Sequence, residues 1–451
     1  MASTDGYEPL DLTPDRWDDI VDLDEWAFLN PWLPEERRAF KSAFPWDRGR
    51  GMAIADPTLG EPGTLVAIRA SFPLEMVVPG GERVPTSALS WVGVHPGHRR
   101  RGLLTSMMRD HFERSLARGE YISALGAAEP QIYQRFGYGV AAWHARAKFS
   151  RGAELRDVPG TAELNVRLEK LTADDHSDLM ADLQRRVTRP GAMVRDSVHL
   201  AREVFASDVN ERREEEGLRI AVVSDASNEA LAYAIFKRKA KWVGNVSNGS
   251  VTVNEFVTTT GAASRRLWGV LFDLDLTDDI HVESLPLDDR LMWLAMDQRA
   301  PKAVIEDDLW VRILDVPRAL EARTYESPVD MVIEVTDYHV PANAGRWRIT
   351  TEPMFTSDFD DGTDDAVAGS PDADGGIQLA HVAKVGESDN DAAHLPDLSI
   401  GIQELSAAYL GGVTVQTLTE AGLVLEHTPG ASRLLSVAMQ SPQAPMSSFQ
   451  F

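Results

Sequence analysis

The stretch 86–139 constrains the fold more than any other part of this sequence. It opens with the apolar run 89–94, whose β-branched and aromatic residues are typical of a strand. A basic turn, 98–102, follows, and apolar residues then recur at helical spacing as far as Leu116. Gly119 stands where a left-handed residue would end that helix. The pattern predicts a strand, a loop and a helix in direct succession.

The start of this predicted helix has the features of a phosphate site. At a helix N-terminus the free backbone N–H groups and the positive end of the dipole attract an anion, and a glycine lets the anion approach closely. Gly102 supplies that approach, and Arg99, Arg100 and Arg101 add positive charge. The turn therefore predicts a pyrophosphate ligand. Taken alone, such a short motif fits the simple capping of an exposed helix equally well.

A second predicted strand, 121–125, leads into an aromatic turn. Pro130 can open a short helix in this turn, and Gly137 can close it. Tyr133 would then be held on the short helix, beside the two strands. The alternative for Tyr133 is a core tyrosine that closes the turn, which is the role we expect for Tyr138.

The composition limits the possible partners. The chain has 45 Lys and Arg residues against 70 Asp and Glu residues, which gives a net charge of -25. Such a surface repels nucleic acid and anionic membranes and attracts cationic ligands, although an acidic surface also serves solubility alone. The absence of cysteine excludes disulfides, thiolate metal sites and cysteine nucleophiles. The 11 histidines show no metal-ligand spacing, so no metal is expected. The sequence contains neither a signal-peptide pattern nor an apolar run that could span a bilayer, which predicts a cytoplasmic protein.

The motifs of the 86–139 stretch together resemble the coenzyme-binding core of the GNAT N-acetyltransferases, and more specifically that of the Eis (enhanced intracellular survival) family. The resemblance implies acetyl-CoA as the cofactor, with its pyrophosphate at residues 100–105. It also implies that Tyr133 is the general acid, which protonates or hydrogen-bonds the leaving thiolate. The coenzyme-binding residues that it implies are Val92, Gly93, Val94, Arg100, Arg101, Gly102, Leu103, Leu104, Thr105, Ala128 and Glu129.

The first strand should carry an irregularity beside the thioester. We expect a bulge near Val92, Gly93 and Val94, because exposed backbone groups there would polarise the thioester carbonyl and because glycine suits a bulge. Trp91 points away from Val92. We expect it either to form a wall of the substrate pocket or to be buried in the core.

The length of 451 residues favours about three domains, and the resemblance gives them a plan. The predicted fold class is α+β (mixed α/β), with tandem GNAT-like domains at 1–150 and 151–320 and a sterol-carrier-protein-like domain at 321–451. Strand 140–149 is predicted to complete the first domain. In the second domain Gly261 again opens a helix after a strand, but no arginines precede it. We therefore expect a degenerate copy that no longer holds a cofactor.

Two segments of the predicted third domain stand out, an acidic insertion and the C-terminus. The stretch 357–376 contains many aspartates and no basic residue, yet it does not match a calcium loop, so a mobile insertion is expected. Residues 442–451 would ordinarily form a frayed tail. The family resemblance implies instead that the chain end returns to the first domain, where the terminal carboxylate of Phe451 lies beside the acceptor amine as the general base.

The resemblance thus predicts an acetyl-CoA-dependent N-acetyltransferase that acts on amines of polycationic small molecules, such as aminoglycosides, or on lysine side chains. It further implies a homohexamer. The alternative from another functional class is a non-catalytic scaffold, in which the third domain carries a lipid or another ligand and the first domain is inactive.

Overall fold

The structure is a computed structural model of the chain. It describes residues 4–29, 31–195, 204, 216–353, 377–386 and 395–451. The predicted acidic insertion at 357–376 lies outside the described residues. Within the described ranges, no helix combines the length and the apolar character that a membrane crossing requires.

Strands and helices follow one another through the described residues. In chain order the strands are β1 (Tyr7–Asp11), β2 (Arg50–Ile54), β3 (Leu65–Val77), β4 (Arg83–Val94), β5 (Ile122–Leu125), β6 (Gly139–Val140), β7 (Trp143–Ser150), β8 (Asn165–Lys170), β9 (Arg219–Ser224), β10 (Ala230–Lys239), β11 (Trp242–Val243), β12 (Val246–Ser247), β13 (Gly249–Thr258), β14 (Thr277–Pro286), β15 (Val304–Asp307), β16 (Trp310–Ile313), β17 (Thr324–Tyr325), β18 (Asp330–Thr336), β19 (Gly345–Pro353), β20 (Gln378–Lys384), β21 (Leu398–Gly401) and β22 (Val424–Glu426). The α-helices are α1 (Trp17–Phe28), α2 (Pro34–Ala43), α3 (Leu103–Ala117), α4 (Pro130–Gln134), α5 (Ala173–Arg185), α6 (Gly261–Leu271), α7 (Arg290–Leu294), α8 (Val316–Glu321), α9 (Ile402–Ala408), α10 (Val415–Glu420) and α11 (Ala431–Met439).

Three large sheets organise these elements. The first has the strand order β1-β2-β3-β4-β5-β16-β6, and the second has the order β15-β7-β14-β13-β10-β9-β8. Each is mostly antiparallel, with one parallel pair at its centre, β4 with β5 and β13 with β14. The third sheet has the order β17-β20-β19-β18-β21-β22. The first two sheets therefore share a plan. The third sheet also has one parallel pair, β18 with β21, but it has six strands rather than seven.

The first two sheets exchange strands. β7 pairs with β14 and β15 in the second sheet, whereas β16 enters the first sheet between β5 and β6. The prediction that strand 140–149 completes the first domain was wrong. Its inward residues, Ala145, Ala147 and Phe149, are buried in the core of the second sheet. An alternating pattern shows which face of a strand is buried but not which strand lies beside it.

The predicted helix after the basic turn is confirmed as α3. It starts at Leu103, and Gly119 adopts a left-handed conformation (φ 81°) just beyond its end. β3 is one continuous strand of 13 residues. The domain boundaries at 150 and 320 stay predictions, since the two sheets share strands across the first of them.

One hydrophobic cluster connects the first sheet with the third. It contains buried residues of β5 and β16 together with residues of β18, β21 and α9. The third domain is thus packed directly against the strands that carry the predicted site.

Candidate active site

A cavity of about 550 Å³ opens where β4 and β5 separate. The two strands pair in parallel only as far as Ala88 and Ala124. Beyond that point their ends diverge, and α1, α3 and α4 contribute further walls. The predicted coenzyme residues that line the cavity are Val92, Gly93, Val94, Arg100, Gly102, Leu103, Leu104, Thr105, Ala128 and Glu129. Tyr133 lines it as well, whereas Arg101, Trp91 and Phe451 do not belong to its walls.

A bulge in β4 borders the cavity, as the sequence predicts. On β3 the single residue Arg69 faces two residues of β4, Trp91 and Val92. Trp91 adopts a left-handed backbone (φ 57°), which is costly for a residue with a side chain. The extra residue turns the backbone of β4 out of its ladder beside the cavity.

Gly93 lies next to the bulge but does not itself have the strained backbone. It lets α1 approach the strand, and its predicted role in coenzyme binding stays a prediction. A Cβ atom on Gly93 would stand 3.2 Å from the Cβ of Ala27. This contact is tighter than side chains normally accept, so any larger residue would push α1 away from the cavity wall.

Trp91 lies in an aromatic cluster on the α1 and α2 side of the sheet. Its ring centroid is 5.1 Å from that of Phe44, and it stacks on Trp32 at 6.0 Å with an interplanar angle of 19°. Trp17 and Phe40 complete its surroundings. Trp91 is partly buried against this cluster, and its predicted role as a wall of the substrate pocket stays a prediction.

The start of α3 is open to an anion. Gly102 is the N-cap residue, with φ 78° and no side chain to cap the helix, so the N–H groups of the first turn face the cavity without an internal acceptor. Arg100 also has a left-handed backbone (φ 63°). Arg99, Arg100 and Arg101 are exposed and form no ion pair with any described residue. These features fit a pyrophosphate group.

Tyr133 presents a free hydroxyl group to the cavity. No described residue accepts or donates a hydrogen bond at this hydroxyl. Burial, with a smaller contribution from the Glu129 carboxylate, raises the pKa of Tyr133 to about 12. Tyr138 differs, because it is fully buried and its hydroxyl lies 2.7 Å from Ser123 Oγ. Tyr138 is therefore the core tyrosine of this turn.

β16 and the third domain together brace the turn that carries Tyr133. Arg312 donates to the Phe136 carbonyl (2.8 Å), and it forms a fully buried ion pair with Asp337 (2.7 Å). His339 Nε2 lies 2.8 Å from the Arg135 carbonyl. These contacts fix the backbone directly after α4, and hence the position of the helix that bears Tyr133.

The chain end is packed rather than frayed. Phe449 is buried in the cluster that joins the first and third sheets, and the partly buried Phe451 packs against the same cluster. The Gln450 side chain lies so close to Gly126 that a Cβ atom on that glycine would stand 2.8 Å from Gln450 Oε1. The C-terminal residues thus lie beside the end of β5, one of the two strands that form the cavity.

Comparison with known proteins identifies this architecture. Residues 9–141 and residues 191–313 each match the acetyltransferase (GNAT) domain, and residues 316–448 match the sterol carrier protein domain. The chain is 33% identical to an uncharacterized N-acetyltransferase of Streptomyces coelicolor over 441 residues, which are 97% of this chain and 98% of that protein. It is 31% identical to the N-acetyltransferase Eis of Mycobacterium tuberculosis over 354 residues, which are 75% of this chain and 83% of that protein. The chain belongs to the Eis family of GNAT N-acetyltransferases.

A solved structure of the Eis family agrees with this assignment. Eis1 from Mycobacterium abscessus aligns with a TM-score of 0.75 at 27% identity and covers 99% of this chain and 100% of its own. The predicted family and the fold class, two GNAT domains followed by a sterol-carrier-protein-like domain, are confirmed. The protein is an N-acetyltransferase, which argues against the non-catalytic scaffold. An enzyme of the GNAT type uses an acyl-coenzyme A donor and an amine acceptor.

The sequence reasoning missed one buried carboxylate on α1, the helix that contributes Ala27 and Phe28 to the cavity wall. Asp24 on α1 is 6% exposed and accepts a hydrogen bond from Trp32 Nε1 (2.9 Å). Burial raises the pKa of Asp24 to about 6, although the hydrogen bond from Trp32 opposes that rise. Helical spacing is compatible with its burial, because Asp24 follows Ile20 by four residues on the buried face of α1.

Proposed function

We propose that the protein transfers an acetyl group from acetyl-CoA to an amine of a polycationic small molecule, of the aminoglycoside type, or to a lysine side chain. The observation that carries this proposal is the cavity between β4 and β5. One end of it meets the open N-terminus of α3, and its wall includes the hydroxyl-bearing side chain of Tyr133. An anionic carrier and a reacting acyl group need these two features in one cavity.

The donor is proposed to bind by its pyrophosphate at residues 100–105. The N–H groups at the start of α3 would donate hydrogen bonds to the phosphate oxygens, and the exposed arginines would add positive charge. The bulge at Trp91 and Val92 leaves strand backbone groups available for the pantetheine arm. The N-acetyltransferase names of the relatives support acetyl as the transferred group.

Tyr133 is proposed as the general acid. With a pKa of about 12, its phenol stays protonated throughout the neutral range. A thiol has a reference pKa of about 8.5, so full proton transfer to the thiolate would be uphill by roughly 4–5 kcal/mol. Tyr133 therefore acts mainly by donating a hydrogen bond to the sulfur as negative charge develops there.

The terminal carboxylate of Phe451 is proposed as the general base. A carboxylate is ionised at neutral pH and can accept a proton from an ammonium group directly or through water. The packing of Gln450 against Gly126 supports a position for the chain end at the β5 side of the cavity. The net charge of -25 favours an acceptor with several positive charges.

The family resemblance supports two further proposals, a homohexameric assembly and a cytoplasmic location. Sedimentation equilibrium of the purified protein tests the assembly. A molecular mass equal to that of a single chain would contradict the hexamer.

Thiol release from acetyl-CoA in the presence of an amine tests the function. We expect release with an aminoglycoside or a polyamine, and much slower release with a neutral monoamine. Deletion of Phe451 should depress kcat, whereas Phe451→Ala should depress it less, because that variant keeps a carboxylate at the same position in the chain. Absence of thiol release with every amine would refute the proposed function.

A further inference from the structure

The second domain contains a cleft equivalent to the one that forms the active-site cavity. β13 and β14 pair in parallel as far as Val253 and Val282 and then separate, as β4 and β5 do. In the first domain the separation leaves a cavity. In the second domain the corresponding gap between the strands contains a segment of the C-terminal chain. There the Met446 sulfur lies 3.7 Å from Ser284 Oγ on β14.

The C-terminal segment divides this second cleft into two smaller spaces. Cavities of about 260 Å³ and 380 Å³ lie on its two sides. Met446, Ser447 and Ser448 form walls of both cavities, and Phe256 of β13 also borders both. The segment therefore passes through the middle of the cleft rather than along its rim.

A buried carboxylate anchors the segment. The Asp308 side chain is 1% exposed, and its Oδ2 atom accepts the Ser447 N–H at 2.6 Å. Its Oδ1 atom lies 3.5 Å from Gln450 Nε2 and 3.4 Å from His144 Nδ1. A buried carboxylate is costly unless donors surround it. Two of these three donors belong to the C-terminal segment, so Asp308 depends on that segment for its hydrogen bonds.

A second anchor lies nearer the rim. The Ala444 N–H donates to Asp288 (2.9 Å), and the Ala444 carbonyl accepts from Arg189, which also pairs with Asp288. The N–H and the carbonyl of Ala444 are thus both held by the ion pair between Arg189 and Asp288. Arg189 directly precedes Pro190, whose carbonyl accepts the Met446 N–H at 2.9 Å.

We propose that the second GNAT domain serves as the receptor for the chain's own residues 443–450, with Asp308 as the principal anchor. The domain would then hold the chain end in place beside the cavity of the first domain. The catalytic consequence of this docking rests on the proposed role of the Phe451 carboxylate, whereas the docking itself does not.

Hydrogen exchange of the full-length protein, followed by mass spectrometry, tests the docking. In Asp308→Asn the Ser447 N–H faces an amide that cannot replace both carboxylate oxygens, so we expect exchange in 444–451 to accelerate by about tenfold or more. The matched control is Asp279→Asn on β14, whose carboxylate pairs with Lys148 (2.8 Å) away from the segment. It should leave exchange in 444–451 unchanged. Unchanged exchange in Asp308→Asn would overturn the proposal.

A second variant covers the case in which Asp308→Asn fails to fold. Asp288 is 39% exposed, so Asp288→Asn removes the rim anchor without disturbing a buried group. We expect a smaller acceleration of exchange in the same residues, of about threefold to tenfold. Unchanged exchange in this variant would count equally against the docking.

Thiol release by the same variants separates the docking from the proposed general base. If exchange accelerates and kcat falls while the KM for acetyl-CoA is unchanged, both proposals hold. If exchange accelerates and kcat is unchanged, the docking stands and the role of the Phe451 carboxylate is refuted. If exchange is unchanged, the docking is refuted whatever the activity.

Discussion

The two GNAT domains share a plan, yet their helix starts differ in one decisive respect. In the first domain Gly102 leaves the N-terminus of α3 without a side-chain cap. In the second domain the Thr260 hydroxyl caps α6 by accepting the Ala263 N–H (3.1 Å). A helix that caps itself has one fewer N–H group to offer an anion. This contrast supports the expectation that only the first copy holds a coenzyme.

The short helices α4 and α7 show a second difference between the two domains. The fourth residue of α4 is Tyr133, which lines the cavity, whereas the fourth residue of α7 is Trp293, which is 68% exposed. A fold therefore supplies the places where a site can form, and a few residues at the ends of its elements decide whether it forms.

The largest expected effect comes from the residue that distinguishes the two short helices. Tyr133→Phe should lower kcat by about 10²- to 10⁴-fold, because it removes the proposed hydrogen-bond donor. Its stability should change little, since the hydroxyl has no partner among the described residues. Trp293→Phe in the second domain is the control and should leave kcat unchanged. Steady-state kinetics measure both, and full activity of Tyr133→Phe would rule out the acid assignment.

Alanine at the two helix starts gives the next largest effect. Gly102→Ala should weaken coenzyme A binding about tenfold, because alanine resists the φ of 78° that this position requires. Gly261→Ala should leave the affinity unchanged, since Gly261 has no positive φ and its added Cβ would lie 3.8 Å from Val158. Titration calorimetry with coenzyme A measures both affinities. Equal losses in the two variants would break the comparison.

Replacing the buried carboxylates Asp24 and Glu255 by amides should change the stability of the protein in opposite directions. Asp24 accepts one hydrogen bond, and its pKa is raised to about 6, so its ionised form destabilises the folded state as the pH rises from about 4 through 6. Asp24→Asn should therefore stabilise the protein at pH 7, by up to about 3 kcal/mol, and have little effect near pH 4. Glu255 accepts from Arg195, Tyr233 and Gln184, so Glu255→Gln should destabilise it.

Thermal unfolding at the two pH values measures these opposite shifts. Asp24→Asn should raise the melting temperature by a few degrees at pH 7, and Glu255→Gln should lower it. If Asp24→Asn is instead less stable than the unaltered protein at pH 7, the folded protein stabilises the ionised Asp24 carboxylate.

The smallest expected effect concerns the pH profile of kcat/KM, which should show no fall on its alkaline side. Since burial raises the pKa of Tyr133 to about 12, the phenol stays neutral below that pH. The kcat/KM of the enzyme should therefore rise as the acceptor amine loses its proton and then stay level to about pH 10. A fall between about pH 8 and pH 10 that disappears in Tyr133→Phe would mean that the pKa of Tyr133 is lowered in the working enzyme.

Local features of the site could be predicted from the sequence. Gly102, the helix after it and the placement of Tyr133 on a short helix follow from spacing and from the special residues at the ends of elements. The packing of the chain end beside β5 agrees with what the family resemblance implies. Composition and periodicity alone favour a frayed tail there.

The long-range features could not be predicted in the same way. Trp91 is a residue type that favours strands, and nothing near it in sequence indicates a left-handed backbone. The exchange of β7 and β16 depends on which strands lie next to each other, and alternation does not encode that. Helical spacing is compatible with the burial of Asp24, but with acidic neighbours such as Asp22 the sequence fits a solvated helix face equally well.

The position of β16 has a consequence for biosynthesis. β5 is complete once Leu125 has left the ribosome, but β16, the strand that pairs with its second edge, is complete only at Ile313. During the interval the edge of β5 is open and able to pair with another chain. The coenzyme cleft therefore matures late, after the whole second sheet has been translated, and a fragment that stops before Trp310 should aggregate rather than yield a minimal enzyme.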